Sequence, residues 1–129
     1  MASKTLYRQA RCAVRSQNIN IDNGNGTTLD EVLLNSGPTG CRILRVYALY
    51  NEVAQTVAGG NFKLGVAAGG ATIVAATAYV DSSAIGAVTE GTVLIDRLAP
   101  NTTLWVRHTG VATTQTGTVF IIVEYVYDE

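Results

Sequence analysis

From residue 41 onward the chain alternates apolar and polar positions with a period of two. Successive side chains of a strand point to opposite faces, so this alternation predicts strands with one face buried. Residues 42–51 set Leu44, Val46, Ala48 and Tyr50 on one side and Ile43, Arg45, Tyr47 and Leu49 on the other. Phe62, Leu64 and Val66 alternate with Lys63 and Gly65, and Leu104, Val106 and His108 with Thr103, Trp105 and Arg107. Residues 71–80 and 92–98 predict two more strands. The longest predicted strand covers residues 118–127, dense in β-branched and aromatic side chains. Residues 28–35 predict a short strand, although Leu29, Val32 and Leu33 also suit one helical turn. Residues 6–15 read in two ways. As a strand they put Leu6, Arg8, Ala10, Cys12 and Val14 on one face; as a helix they line up Arg8, Arg11 and Arg15. The extended reading is preferred.

Turn signals separate these segments. Asp22-Asn23-Gly24-Asn25-Gly26, residues 36–40, Gly59-Gly60, Gly69-Gly70 and Ala99-Pro100-Asn101 carry the residues that tight turns need. Residues 81–91 read as a small-residue loop and 111–117 as a Thr-rich one. Seven or eight strands at roughly ten-residue spacing, with no helix-length segment between them, predict an all-β, antiparallel sandwich. Strand count leaves a jelly roll and a related Greek key both open. No internal repeat appears. The one boundary falls near Asn18, dividing an extended basic N-terminal arm (1–18) from a β-sandwich domain (19–129).

Charge sharpens this picture. Only 15% of the residues are charged, against about 25% in a typical soluble domain. A small domain that carries so little charge is expected to hide surface against partners. The net charge is −1, yet residues 1–15 hold four of the nine basic residues and no acid. A basic arm on an acidic body is expected to meet something negative: nucleic acid, an acidic protein face or a neighbouring copy. Nucleic acid is the weaker reading, because the body is acidic and its strands lack interleaved aromatic and basic residues. Docking on protein is preferred. No apolar run approaches the ~20 residues of a membrane span, and Lys4, Arg8, Arg11 and Arg15 interrupt any signal-peptide core.

Candidate chemistry is sparse. His108, the only histidine, lies within a strand, and a catalytic base would need a marked nucleophile and orienting partner. Cys12 and Cys41 stand 29 positions apart; they read first as buried thiols and second as a disulfide. One His and two distant Cys lack zinc-site spacing, so no metal is expected. Ten carboxylates are too unspecific to mark a glycosidase pair. The Asp22 turn has Gly24 where a calcium loop needs an oxygen ligand and Leu33 where it needs Glu. Gly24-Asn25-Gly26 lacks the third glycine of a dinucleotide fingerprint, and Lys4 and Lys63, the only lysines, complete no phosphate loop. The sequons at Asn25 and Asn101 carry weight only in a secreted protein. Tyr47, Tyr50, Tyr79, Trp105, Phe120, Tyr125 and Tyr127 read as a sugar-stacking platform or, more simply, as packing residues. The chain is therefore expected not to be an enzyme and to need no cofactor or small-molecule substrate.

The order of segments carries a resemblance. A short basic N-terminus precedes a Gly/Ala/Thr/Val-rich sandwich with Asp81-Ser82-Ser83-Ala84-Ile85-Gly86 in its central loop. Residues 103–110 (TLWVRHTG), a Thr/Gly loop and residues 117–125 (GTVFIIVEY) follow. Over residues 40–127 this resembles the cement, or decoration, proteins of tailed bacteriophages. The resemblance implies a structural virion protein, made in the host cytoplasm, that binds the capsid exterior and stabilises contacts between major capsid subunits. It implies a homotrimer with the major capsid protein as partner. Lys4, Tyr7, Arg8, Arg11 and Arg15 are then expected to contact the capsid or a neighbour, and Trp105, Arg107 and His108 to line a subunit interface. Removing residues 1–15 is expected to leave the body folded. The alternative is a trimeric receptor-binding head of a phage tail fibre, recognising a host surface glycan.

Overall fold

All regular elements in the computed structural model, which describes residues 10–21, 28–54, 60–80, 83–110 and 117–128, are strands. In chain order they are β1 (Cys12–Arg15), β2 (Ile19–Asn20), β3 (Thr28–Asn35), β4 (Cys41–Tyr50), β5 (Asn61–Gly65), β6 (Val74–Ala78), β7 (Val88–Gly91), β8 (Arg97–Leu98), β9 (Thr103–Thr109) and β10 (Thr118–Tyr127). One sheet runs β1-β10-β4-β7, with β2 further along β10 and β8 further along β4; the other runs β3-β9-β5-β6. All pairings are antiparallel.

β1 and β2 share one side of β10, and β7 and β8 share one side of β4, so ten strands fill eight positions. Position by position the pairing is nested: first with last, β3 with β9, β4 with β7 and β8, β5 with β6. The chain is one long hairpin folded over itself, and that strand order is a jelly roll. The expected antiparallel sandwich is thus observed, and its topology is resolved.

The core lies between the sheets. From β9 it takes Leu104, Val106 and His108; from β10, Val119, Ile121, Val123 and Tyr125; from β5, Phe62 and Leu64. These strands alternate as their sequences predict. β4 does not. Between Arg45, opposite Glu124, and Ile43, opposite Tyr125, the register slips and Leu44 is the extra residue. Such a bulge reverses the facing of everything before it. Cys41 and Ile43 therefore join Val46, Ala48 and Tyr50 inside, whereas the sequence pattern puts Ile43 outside. A second bulge at Leu33 lets both Leu33 and Leu34 sink into the core.

The chain between 81 and 98 also departs from expectation. The loop expected over 81–91 contains β7, and the strand expected over 92–98 shrinks to β8. β7 gives the interior only Thr89, bonded to the Tyr50 hydroxyl at 2.7 Å, and Gly91, so it lacks the apolar alternation that betrays a strand. Gly91 is required there: a Cβ would sit 2.8 Å from Val74 Cγ1 on the facing sheet. Beyond it the chain crosses between sheets, with Val93 bridging Val74, which leaves Leu94 and Ile95 exposed.

β1 lies inside the stretch read as the arm. It pairs with β10 from Cys12, opposite Tyr125, to Arg15, opposite Ile122. Buried Ser16 then exchanges bonds with Ile121: its N–H donates to the Ile121 carbonyl and its Oγ accepts from the Ile121 N–H, both at 2.9 Å. The Glu31 carboxylate accepts the Gln17 N–H at 3.1 Å, tying the β1 side of one sheet to β3 of the other. Cys12 and Cys41 are free thiols on strands separated by β10. Two strand spacings of about 4.8 Å already exceed disulfide reach.

Candidate functional site

With the core accounted for, the two outer sheet faces are the broadest strand surfaces left to meet a partner among the described residues. On the β1-β10-β4-β7 sheet, cross-strand register sets the outward residues in rows. Phe120, Leu49 and Val88 form one row; Arg15, Ile122, Tyr47 and Glu90 form the next; Ala13, Glu124 and Arg45 form a third. The two inner strands therefore present a continuous apolar strip of Phe120, Ile122, Leu49 and Tyr47, all half-buried, with Val88 43% exposed at its edge.

Charge surrounds this strip in order. The Arg15 guanidinium lies 4.5 Å from the Phe120 ring centre, and that of Arg45 lies 4.0 Å from the Tyr47 ring centre. Arginine planes over aromatic faces gain quadrupole attraction and shield apolar area. Arg11 pairs with Glu124 at 3.2 Å, Glu124 with Arg45 at 3.6 Å, and Arg45 with Glu90. Each exposed pair contributes little stability alone. Together they fix four alternating charges across four strands.

The face of β3-β9-β5-β6 is different. Trp105 on central β9 is flanked by Val32 on β3 and by Gly65 on β5, which offers no side chain. Two residues on, the Arg107 guanidinium grips Asp30 with two bonds, Nε–Oδ1 at 2.7 Å and Nη2–Oδ2 at 2.8 Å. The hydrogen bonds from Arg107 hold the Asp30 carboxyl below its usual pKa. Gly69, with φ of 76°, packs on the guanidinium, and a Cβ there would fall 2.7 Å from Arg107 Cζ. Arg107 is thus locked from two sides, an arrangement that suits a preorganised contact surface.

His108 points the other way and is fully buried. Its Nδ1 is 2.7 Å from the Tyr79 hydroxyl, and Phe62 continues the stack, 5.8 Å from Tyr79. Among the described residues, Nε2 meets no partner at hydrogen-bond geometry. Burial drives the imidazole pKa down to about 4, against a smaller upward pull from the Ile21 backbone. The same burial pushes the Tyr79 phenol up.

The predicted contact residues separate accordingly. Arg11 and Arg15 share the outer face of the β1-β10-β4-β7 sheet with Phe120 and Tyr47, while Lys4, Tyr7 and Arg8 lie outside the described residues. Trp105 and Arg107 stand together on the opposite face. His108 does not join them: a side chain with no exposed surface cannot line a subunit interface, and its expected role there is corrected to a core residue. Period-two alternation already put it with Leu104 and Val106, which was the signal to follow. The aromatic residues form no single platform, since Tyr50, Tyr79 and Tyr125 are interior and Tyr47 and Phe120 face away from Trp105. Ile122, Leu49 and Glu90 were not singled out as contact residues, and Phe120 was named only as a stacking or packing aromatic. Their only sequence signal is that β4 and β10 are apolar on both faces, which becomes informative once one face is known to be outside.

No family model and no curated protein matches the sequence. Among solved structures, the fold is similar to a chain of the cyanophage Pam1 capsid asymmetric unit. That likeness has a TM-score of 0.61 and 18% identity, and covers 93% of this chain and 86% of that one. The jelly roll of this protein is thus a fold that also occurs in a cyanophage capsid.

Proposed function

We propose that this chain is a non-catalytic structural protein of a phage virion, which binds the outside of the capsid and stabilises contacts between major capsid subunits. The observation that carries this reading is the similarity, over nearly the whole chain, to a chain of a cyanophage capsid. Two further features support it. The outer faces hold ordered Arg–aromatic and Arg–carboxylate arrangements of the kind found at protein contacts. A jelly roll is also a rigid carrier, and many weakly held copies on one shell reinforce it through avidity.

In this reading the copies are grouped in threes. Trp105 and Arg107 form the contact between copies, and the basic N-terminal segment with Lys4, Tyr7 and Arg8 reaches the shell. Arg11 and Arg15, at the root of that segment, belong to the outer sheet face and contact a neighbouring copy. The test uses capsids of the source phage prepared without this protein. Added full-length chain is expected to co-sediment with them and raise the temperature at which they release DNA. A chain lacking residues 1–9 is expected to remain in the supernatant. Failure of the full chain to bind overturns the virion reading, and undiminished binding by the shortened chain overturns the role of the N-terminal segment.

A further inference from the structure

The sandwich buries one side of the β1-β10-β4-β7 sheet and leaves the other without a covering layer among the described residues. From the charge order on that uncovered side, we propose that it pairs face to face with the same side of a second copy, about a twofold axis running along the strands between β10 and β4. This contact is separate from the threefold grouping proposed above, which uses the opposite face, and it does not rest on the virion reading.

The charge pattern of this face complements itself. In a twofold interface each residue meets its counterpart across the axis, so a patch must complement itself. The β1 edge of this face is positive, through Arg11 and Arg15; the β7 edge is negative, through Glu90; the inner strands between them are largely apolar. An axis along the strands exchanges the two edges and the two inner strands. Arg15 then faces Glu90 of the second copy, Ile122 faces Tyr47, Phe120 faces Leu49, and Glu124 faces Arg45. Each of these charges meets its opposite and each apolar residue meets another. The other in-plane axis, across the strands, sets β1 against β1 and β7 against β7, bringing arginine to arginine and Glu90 to Glu90. Like charges opposed at an interface are strongly disfavoured, so the face specifies one of the two axes.

Its composition agrees. An apolar centre bearing an aromatic pair, rimmed by charges, is the common anatomy of a protein–protein contact. Four strands about 4.8 Å apart give a face of roughly 20 Å by 20 Å, so two copies would cover on the order of 1,000 Å² in total, near the lower limit of a specific interface. The arginines already rest over the Phe120 and Tyr47 rings, so less side-chain freedom remains to be lost on pairing.

The experiment is a charge swap read by light scattering over a dilution series. The full chain is expected to contain an even number of copies, two or, with the threefold grouping, six. Arg15→Glu alone and Glu90→Arg alone each set like charges across the axis and are expected to halve that number while melting cooperatively. The double variant R15E/E90R restores opposite charges and is expected to restore the mass. A full chain of one or three copies throughout the series overturns the proposal. So do single variants that keep the parent mass, and a double variant that stays at half. Because capsid binding is measured separately, failure here leaves the virion reading standing, and the converse also holds.

Discussion

His108 lies wholly inside the sandwich, and its neighbours decide how it responds to pH. Tyr79 supplies a single bond at Nδ1, Phe62 extends the aromatic stack, and Nε2 meets no partner at hydrogen-bond geometry among the described residues. An imidazolium there would bury an incompletely bonded charge, so the neutral ring is favoured and the folded-state pKa falls from 6.5 to about 4. Between those values the unfolded chain binds more protons than the folded one, and stability therefore rises with pH. The contribution is complete above the unfolded value and is lost as pH drops toward the folded one. About one unit of pKa corresponds to 1.4 kcal/mol, so roughly 2 kcal/mol should be gone by about pH 5. Urea unfolding near neutral pH and near pH 5 measures this. A His108→Gln variant, though less stable, should lose the difference between the two conditions. Asp30, whose pKa is lowered by its bonds to Arg107, keeps its stabilising contribution above its ordinary value of 3.8 and loses it only at lower pH.

At the scale of the element, β1 determines where the N-terminal segment ends and the body begins. Cys12 and Val14 pack against the core, Ser16 exchanges two bonds with Ile121, and β1 covers the free edge of β10. Removing residues 1–15 therefore strips a strand from the sheet and bares a long edge. Lost apolar burial and unpaired backbone groups should lower the unfolding free energy by roughly 2–4 kcal/mol. Removing residues 1–9, which leaves β1 and its pairing with β10 in place, should cost less than that. Chemical denaturation of the two truncated chains distinguishes these effects, and equal stability would show that β1 contributes nothing. Several strands were legible beforehand: β9 lies where its alternation put it, β10 where its β-branched and aromatic residues did, and β3 between the turn signals that bound it. Two were not. The bulge at Leu44 inverts the first part of β4, and a bulge leaves no mark in a residue pattern that is apolar on both faces. β7 was hidden because its inward positions are Thr89 and Gly91, chosen for close approach to the facing sheet rather than for hydrophobicity. The charged face was legible only in fragments for a related reason. Arg11, Ala13 and Arg15 could be assigned to one side of a strand, but their neighbours Ile122, Tyr47 and Glu90 come from strands whose order and register no local pattern specifies.

For the whole molecule, the nested topology places the last strand at a centre. β10 is hydrogen-bonded to β1 and β2 on one side and to β4 on the other, and its inward residues Val119, Ile121, Val123 and Tyr125 run down the core. Until residues 118–127 are available, β1 and β2 have no partner, and the sheet that carries the proposed interface cannot close. Ending the chain at residue 117 should therefore abolish cooperative unfolding altogether, unlike the modest loss from removing β1. Refolding of the full chain should be slow for its size. Its strand pairs join residues as far apart as Cys12 and Tyr125, so loop-closure entropy must be overcome before those contacts form, and all-β folds of this kind refold in milliseconds to seconds. Stopped-flow refolding followed by the fluorescence of Trp105, the single tryptophan, reads the rate, although this residue sits in the sheet that β10 does not join. A single phase of the same rate for Trp105 fluorescence and for far-ultraviolet circular dichroism would show both sheets forming together. A faster fluorescence phase would mean that β3-β9-β5-β6 assembles first and offers its inner face as the surface on which the terminal strands dock.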